Sequence, residues 1–213
     1  MVLNTFSRGM AGPSEVQLIR QRFKESSATL GMASLNVKFI KIIHVIAQKV
    51  SASLKKGGRV LICGNGGSAA DAQHFAAELV GGYTNHNRAP LDVIALSTNT
   101  SNLTAIGNDY RYEDIFSRQV EAHARKGDVV IGISTSGNSA NVVEAIKVAK
   151  KKGVLSVVLT GASGGKMRAL ADLTLRAPSD STPRIQEAHI VAIHSVCELV
   201  ERSLFGPQAD HRG

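Results

Sequence analysis

Apolar residues recur at helical spacing in the first part of the chain and then give way to short apolar runs. Residues 14–32 and 36–56 carry the helical pattern, which ends at Gly57 and Gly58. Four apolar runs then alternate with helical stretches, followed by a weaker run and a final helical stretch. The runs lie at 60–63, 93–96, 129–133 and 155–159, the weaker one at 173–175, and the last helical stretch at 183–204.

Continuous apolar runs of this kind are typical of strands buried on both faces of a parallel sheet. The pattern predicts an α/β fold, doubly wound, with a mainly parallel five-stranded sheet, two N-terminal helices and a long C-terminal helix. One domain is expected over residues 1–213, with a helical segment at 1–58 and an α/β core at 59–206. The tail from Pro207 is expected to fray.

Charge and composition narrow the class of protein. The net charge of +8 is local, because residues 1–60 hold ten Lys and Arg against two Glu, whereas the rest of the chain is balanced. Aromatic residues make up only 4% of the chain and Trp is absent, which disfavours stacking on unpaired bases. We therefore expect no nucleic-acid partner.

The cellular setting follows from what the sequence lacks. Cys63 and Cys197 are too few for a disulfide framework, which favours a reducing compartment, by default the cytoplasm. No run approaches the roughly 18 apolar residues of a membrane helix, and residues 1–11 lack the apolar core of a signal peptide. We expect no membrane association and no processing.

Two loops after predicted strands carry unusual residues, at the edge where parallel sheets bind ligands. Gly64–Ser68 is glycine-rich, and residues 134–139 read Ser-Thr-Ser-Gly-Asn-Ser; each leads into a predicted helix. Glycines admit a ligand close to the backbone, and amides at a helix start attract anions. Helix capping explains one hydroxyl but not four, so the second loop predicts a site for a phosphate monoester. Its hydroxyl donors are Ser134, Thr135, Ser136 and Ser139.

A nucleotide site is the alternative for these loops. Gly64-x-Gly66-x-x-Ala69 formally matches a dinucleotide fingerprint, which is weak on its own. The acid that would hold the ribose is missing, because the second strand runs into Leu-Ser-Thr-Asn at 96–99. Neither loop is followed by the Lys-Ser or Lys-Thr of a Walker A motif. A dinucleotide-dependent oxidoreductase is therefore disfavoured.

Histidine, carboxylate and amide side chains offer a possible metal site. His74 and Glu78 are four apart on one helical face, a spacing shared by metal ligands and by solvated pairs. Gln186 and His194 lie on the closing helix, where His194 also suits a core position. Eight residues of helix rise about 12 Å, so these two side chains meet one ion only if both reach toward it or if different subunits supply them.

Five segments taken together resemble the sedoheptulose 7-phosphate isomerases (phosphoheptose isomerases) of the sugar isomerase (SIS) domain superfamily. These segments are Gly64–Glu78, Ile106–Tyr110, Ile133–Ser139, Gly164–Met167 and Arg184–His194. They occur in the family's order and spacing, and the match extends to about Leu204. The resemblance implies a flavodoxin-like SIS fold, a homotetramer with active sites at subunit interfaces, and one zinc ion per subunit. It also implies that the helical segment at 1–58 is used in oligomerisation.

The resemblance also implies residue roles for the conversion of a ketose to an aldose through an enediol. It makes His74, Glu78, Gln186 and His194 the zinc ligands, with Glu78 and His194 also the acid and base. The implied substrate-binding residues are Asn65, Gly66, Ser68, Glu78, Asp109, Ser134, Thr135, Ser136, Ser139 and Gln186. The implied reaction turns sedoheptulose 7-phosphate into D-glycero-D-manno-heptose 7-phosphate for lipopolysaccharide or a related glycoconjugate.

One difference from the family and one alternative function bear on that implication. Family members often carry an acid just before the Arg-Ile-Gln run, where this chain has Thr182 and Pro183. Some SIS relatives are not enzymes but an adaptor for the replication initiator or sugar-phosphate-sensing modules. The adaptor lacks the Glu and the second His at the positions of Glu78 and His194. Both are present here, which favours an enzyme.

Overall fold

The computed structural model describes residues 13–206, and both the segment at 1–11 and the tail from Pro207 lie outside them. The helices are α1 (Pro13–Leu35), α2 (Val37–Lys55), α3 (Gly67–Gly81), α4 (Thr100–Asp109), α5 (Ser117–His123), α6 (Ala140–Lys151) and α7 (Thr182–Phe205). The strands are β1 (Val60–Gly64), β2 (Val93–Ala95), β3 (Val129–Ile133), β4 (Leu155–Thr160) and β5 (Leu173–Arg176). Each predicted helix and strand is present, within a few residues of its expected bounds.

The five strands form one parallel sheet in the order β2-β1-β3-β4-β5. β1 and β3 lie next to each other near its centre and are buried along their whole length. Because side chains alternate along a strand, neighbouring residues enter different cores. Val60 and Ile62 face the helices α2, α3 and α7, whereas Leu61 and Cys63 face α5 and α6. The doubly wound α/β prediction is confirmed.

Helices α3 and α7 lie side by side and run in the same direction. Gln186 lies against Gly67 near their starts, His194 contacts His74 further along, and the Glu201 carboxylate accepts hydrogen bonds from the loop that follows α3. These contacts align the first, middle and last parts of the two helices.

Glu201 is the centre of a buried polar cluster at the far end of this helix pair. Its carboxylate accepts hydrogen bonds from the amides of Tyr83 and Thr84 at 2.7 and 2.9 Å, and Arg88 Nε donates to it at 2.6 Å. The side chains of Glu201 and Arg88 are fully buried. Arg88 Nη2 also donates to the carbonyl of Glu78 at 2.9 Å. The cluster therefore holds the end of α3 and the residues after it.

Large apolar side chains on α1 and at the start of α2 are exposed. Phe23 is 74% exposed, Leu35 83% and Val37 63%. Within residues 13–206 no single helix is long and apolar enough to cross a membrane. α1 and α2 meet that test of length and composition only as a pair, bent by 76°.

Candidate functional site

The carboxyl edge of the sheet brings the two predicted loops side by side. β1 and β3 are paired in register, with Gly64 opposite Ile133. The loops that follow them lead directly into α3 and α6. Amides at helix starts lack an intrahelical acceptor and favour anions. Both loops therefore present donors to the same region of space.

Hydroxyl groups of the loop at 134–139, the serine loop, converge on one another. Ser134 Oγ lies 2.9 Å from Ser139 Oγ and 3.4 Å from Ser136 Oγ. Ser139 is the N-cap residue of α6, yet its side chain makes no capping hydrogen bond. Ser136 Oγ accepts from the Asn138 amide at 3.1 Å. Capping therefore does not explain the cluster, which suits the several oxygens of one anion.

The loop after β4 supports the serine loop from behind. The carbonyl of Thr135 accepts from the Gly161 amide at 2.9 Å, and that of Gly137 accepts from the Met167 amide at 3.1 Å. Gly137 has a φ of 66°, and a Cβ added to it would lie 2.2 Å from the carbonyl oxygen of Gly164. Glycine alone meets both requirements.

The glycine loop at 64–68 is tied to the serine loop by a pair of amides. Asn65 Nδ2 donates to Asn141 Oδ1 at 2.9 Å, and Asn141 Nδ2 donates back to Asn65 Oδ1 at 2.8 Å. Asn141 is only 3% exposed and lies in the first turn of α6. Gly66 is the N-cap residue of α3, and Ser68 is buried in its first turn. The two loops are thus one connected unit.

His74, Glu78 and His194 come together between α3 and α7. His74 Nε2 lies 2.8 Å from His194 Nε2 and 3.4 Å from Glu78 Oε1. The two imidazoles meet edge to face, with centroids 5.1 Å apart, and the Tyr83 ring stacks on His194 with centroids 5.5 Å apart. His74 keeps 40% of its side chain exposed and Glu78 23%. Solvent-sized molecules therefore have access to this cluster.

Gln186 and Asp109 lie apart from that cluster in one chain. The Gln186 amide packs on Gly67, where an added Cβ would lie 2.3 Å from Nε2. Gln186 is eight residues before His194, about 12 Å along α7. Asp109 is exposed at the end of α4, and its carboxylate accepts from Asn108 at 2.8 Å. Within residues 13–206, neither residue hydrogen-bonds to the histidine pair.

The donor set is of the kind that zinc prefers, although it does not by itself complete a site. Two imidazole nitrogens and a carboxylate oxygen are common zinc ligands. When both imidazoles are neutral, one of the two facing nitrogens donates a hydrogen and the other accepts it. A metal ion in place of that hydrogen would bind the lone pairs of both nitrogens. No group of three or more His, Cys, Asp and Glu side chains in residues 13–206 already has the geometry of a metal site.

Two residues near these side chains were not predicted as part of the site. Asp71 lies one turn before His74, and its carboxylate oxygen Oδ2 is buried without a hydrogen-bond partner within residues 13–206. Burial raises the pKa of Asp71 to about 6, against the lowering effect of His74. Asn141 is the other, and its position on the buried stripe with Ala145 and Ala149 was a signal available in the sequence.

The cysteines take no part in the site. Cys63 and Cys197 are both buried free thiols. Burial raises the pKa of Cys63 to about 12 and also raises that of Cys197. Neither is therefore a reactive thiolate at neutral pH.

Comparison of the sequence and structure with known proteins shows the family to which this chain belongs. A model of the SIS domain matches residues 29–161. The chain is 61% identical to a phosphoheptose isomerase of Rhodospirillum rubrum over 155 residues, 73% of this chain and 82% of the relative. It is 48% identical to a phosphoheptose isomerase of Burkholderia pseudomallei over 194 residues, which are 91% of this chain and 98% of the relative. The structure of a phosphoheptose isomerase from Neisseria gonorrhoeae matches with a TM-score of 0.81 at 44% identity, covering 87% of this chain and 97% of that one. With its paired loops and its histidine and glutamate cluster, the chain belongs to the SIS domain family, among the phosphoheptose isomerases, and is an isomerase.

Proposed function

We propose that this isomerase converts sedoheptulose 7-phosphate to D-glycero-D-manno-heptose 7-phosphate in the cytoplasm, as the first step toward lipopolysaccharide core or a related heptose conjugate. The observation that carries the proposal is the contact of His74 with both Glu78 and His194, at 3.4 and 2.8 Å. An adaptor has no need of a histidine held against both a second histidine and a glutamate.

The reaction moves a proton between C1 and C2, and its costly step removes a carbon-bound proton beside a carbonyl. Glu78 and His194 are the side chains we assign to that transfer. A positioned acid or base contributes typically about 10²–10⁴-fold to the rate. Tyr83, stacked on His194, fixes the plane of that imidazole.

The phosphate of the substrate is assigned to the serine loop and the start of α6. Ser134, Thr135, Ser136 and Ser139 supply hydroxyl donors, and the site is assembled before binding because Ser134 already contacts Ser139. Asn65, Gly66 and Ser68 are assigned to the sugar hydroxyls, with Asp109 and Gln186 completing the contacts. Binding energy at the phosphate end orients the reacting carbons.

We assign one zinc ion per subunit to His74, Glu78, His194 and Gln186. When bound, zinc would polarise the carbonyl and hydroxyl oxygens and stabilise the enediolate. Because Gln186 lies about 12 Å along α7 from His194, it would reach the ion most directly from a neighbouring copy of the chain. That arrangement agrees with the proposed homotetramer, whose active sites would lie at subunit interfaces.

The test is turnover of sedoheptulose 7-phosphate by the purified protein and by Glu78→Gln and His194→Gln. We expect each variant to lose about 10²-fold or more in kcat. His123→Gln, a histidine at the end of α5 and the other edge of the sheet, is the matched control and should keep its activity. Near wild-type turnover in both site variants would overturn the assignment.

Metal content is measured on the same samples by elemental analysis. About one zinc per chain is expected in the wild type, and less after His74→Gln. An enzyme that stays fully active after exhaustive chelation would remove zinc from the proposal while leaving the isomerase assignment intact. Capture of the replication initiator by a chain with no turnover would favour the adaptor.

A further inference from the structure

A cavity lies at the amino edge of the sheet, at the end opposite the serine and glycine loops. It has a volume of about 530 Å³ and is formed by residues 56–59, which precede β1, and residues 123–128, which precede β3. Ligand pockets commonly span about 300–1,000 Å³. The five-residue strands separate it from the carboxyl edge by about 16 Å. A ligand here would not touch the residues assigned to isomerisation.

Hydrogen bonds fix the two segments that form this cavity. Both oxygens of the buried Asp128 carboxylate accept from main-chain amides, Oδ1 from Arg59 at 2.9 Å and Oδ2 from Arg125 at 2.7 Å. Ser53 Oγ donates to the carbonyl of Gly127 at 2.7 Å. A Cβ added to Gly58 would lie 2.8 Å from that same carbonyl oxygen. The walls are therefore held in place without a ligand.

The side chains around the cavity carry an excess of positive charge. Lys56, Arg59, Arg125 and Lys126 line it, and Asp128, the one acidic residue from the described part of the chain that lines it, points its oxygens at the main chain. Arg59 also pairs with Asp92 at 2.9 Å. The side-chain ammonium groups of Lys56 and Lys126 form no hydrogen bond or ion pair with any residue from 13 to 206. Two full cationic charges are thus uncompensated in one concave surface.

The surroundings reinforce this charge and supply neutral donors. A neighbouring groove of about 350 Å³ shares Lys56 and Lys126 with the cavity and adds Lys49. The exposed main-chain amides of Lys126 and Gly127 donate to no group within residues 13–206. Among residues 13–206, no aromatic side chain except the His123 imidazole lines the cavity. The recognition chemistry is therefore that of phosphate oxygens, with no stacking platform for a base.

We propose that this amino-edge cavity binds a small polyanion through two adjacent phosphate groups, the chemistry shared by inorganic pyrophosphate and nucleoside diphosphates. Both segments contribute cations to the cavity, so an anion that reaches both segments is favoured over a single phosphate. Clusters of ammonium and guanidinium groups in a concave surface concentrate such anions, and the attraction weakens as salt rises.

The test is titration calorimetry of the full chain with pyrophosphate, ADP and orthophosphate at low salt. We expect pyrophosphate to bind about tenfold or more tightly than orthophosphate. Lys56→Ala/Lys126→Ala should weaken pyrophosphate binding by about tenfold to hundredfold. ADP binding as tightly as pyrophosphate identifies the diphosphate as the recognised group, and tighter ADP binding identifies a nucleotide.

Two controls keep the result specific. Lys41→Ala removes the same charge about 22 Å away along α2, and it should bind pyrophosphate like the wild type. Ser134→Ala/Ser139→Ala removes two hydroxyl donors of the serine loop, and this variant should also bind pyrophosphate like the wild type. Absence of pyrophosphate binding to the wild type, or its loss in the serine variant but not in the lysine variant, would overturn the proposal. Binding of duplex DNA without pyrophosphate would do the same.

Discussion

His189 is the residue whose ionisation the fold opposes most clearly. It is completely buried, and its Nε2 lies 3.0 Å from the carbonyl oxygen of Thr160, to which it donates. Burial lowers the pKa of His189 to about 4 from an ordinary value of 6.5. The imidazole is therefore neutral in the folded protein throughout the physiological range.

A pH dependence of stability follows from His189. Between pH 6.5 and about 4 the unfolded chain binds a proton that the folded chain does not, so the free energy of unfolding falls as the pH is lowered. We expect His189→Gln to flatten this fall, as measured by urea unfolding at several pH values. Exposed His44→Gln should behave like the wild type.

The comparison must be with the wild type at each pH, because Asp71 acts in the opposite sense. The pKa of Asp71 is raised to about 6 in the folded chain, above its ordinary value of 3.8. Between these two values the folded chain binds a proton that the unfolded chain does not, so the stability from this group is lost as the pH rises. An identical pH profile in the wild type and His189→Gln would contradict the role given to His189.

Single residues show where sequence reasoning reaches its limit. The serine loop and the His74–Glu78 pair could be recognised because their members are close in sequence. The contact of His74 with His194 joins residues 120 positions apart, and the partner of Asn65 lies 76 positions away. Such pairings depend on how helices pack, which a periodic pattern does not specify.

At the scale of elements, the Glu201 cluster holds the end of α3 against α7. Burial by itself would raise the pKa of Glu201, but hydrogen bonds from Thr84, Arg88 and Tyr83 outweigh it and lower the pKa to about 2. Stability from this group is therefore present above pH 4.5 and is lost as the pH falls toward 2.

We expect Glu201→Gln to destabilise the fold by about 3–5 kcal/mol, because it leaves Arg88 buried without its counter-charge. Chemical unfolding at pH 7 measures the loss. Glu198→Gln, which breaks a largely exposed pair with Arg202, is the matched control and should cost less than about 1 kcal/mol. Equal costs in the two variants would show that the buried pair has no special role.

The serine loop offers a second test at this scale. Gly137→Ala places a Cβ 2.2 Å from the Gly164 carbonyl oxygen at a φ of 66°. We expect it to lower stability by at least about 2 kcal/mol and to raise KM for the sugar phosphate. Gly153→Ala has a similar φ of 64° but no atom within 4 Å of the added Cβ. It should cost about 1 kcal/mol and leave KM unchanged.

A raised KM in Gly153→Ala, or an unchanged KM in Gly137→Ala, would show that phosphate binding does not depend on the conformation of the serine loop.

The helices and strands themselves were predictable, since buried strands and amphipathic helices have distinct apolar periods. The order of the strands in the sheet was not, because it depends on which crossovers the chain makes.

At the scale of the whole molecule, α1 presents apolar residues that one chain leaves exposed. Val16, Ile19 and Phe23 follow helical spacing on one face and are 41%, 54% and 74% exposed. An exposed apolar surface of this kind commonly marks a protein–protein interface. Seven basic residues of the N-terminal region lie on α1 and α2, namely Arg20, Arg22, Lys24, Lys38, Lys41, Lys49 and Lys55.

We therefore expect Ile19→Glu/Phe23→Glu to dissociate the proposed tetramer, because two carboxylates would be buried at the interface. Light scattering after size-exclusion chromatography measures the mass. Gln17→Glu adds a charge to a polar position of α1 and should leave the mass unchanged. A wild type that elutes as a monomer would contradict the assembly, as would a double variant with the wild-type mass.

The reciprocal amide pair between Asn65 and Asn141 has a consequence for inhibitors. Because it joins the glycine and serine loops before any ligand arrives, the entropy of ordering the site is spent during folding. Two weakly binding fragments, one for each loop, would therefore keep most of their separate binding free energies when they are linked. A compound that spans both loops is for this reason a better starting point for an inhibitor than a larger compound directed at one loop.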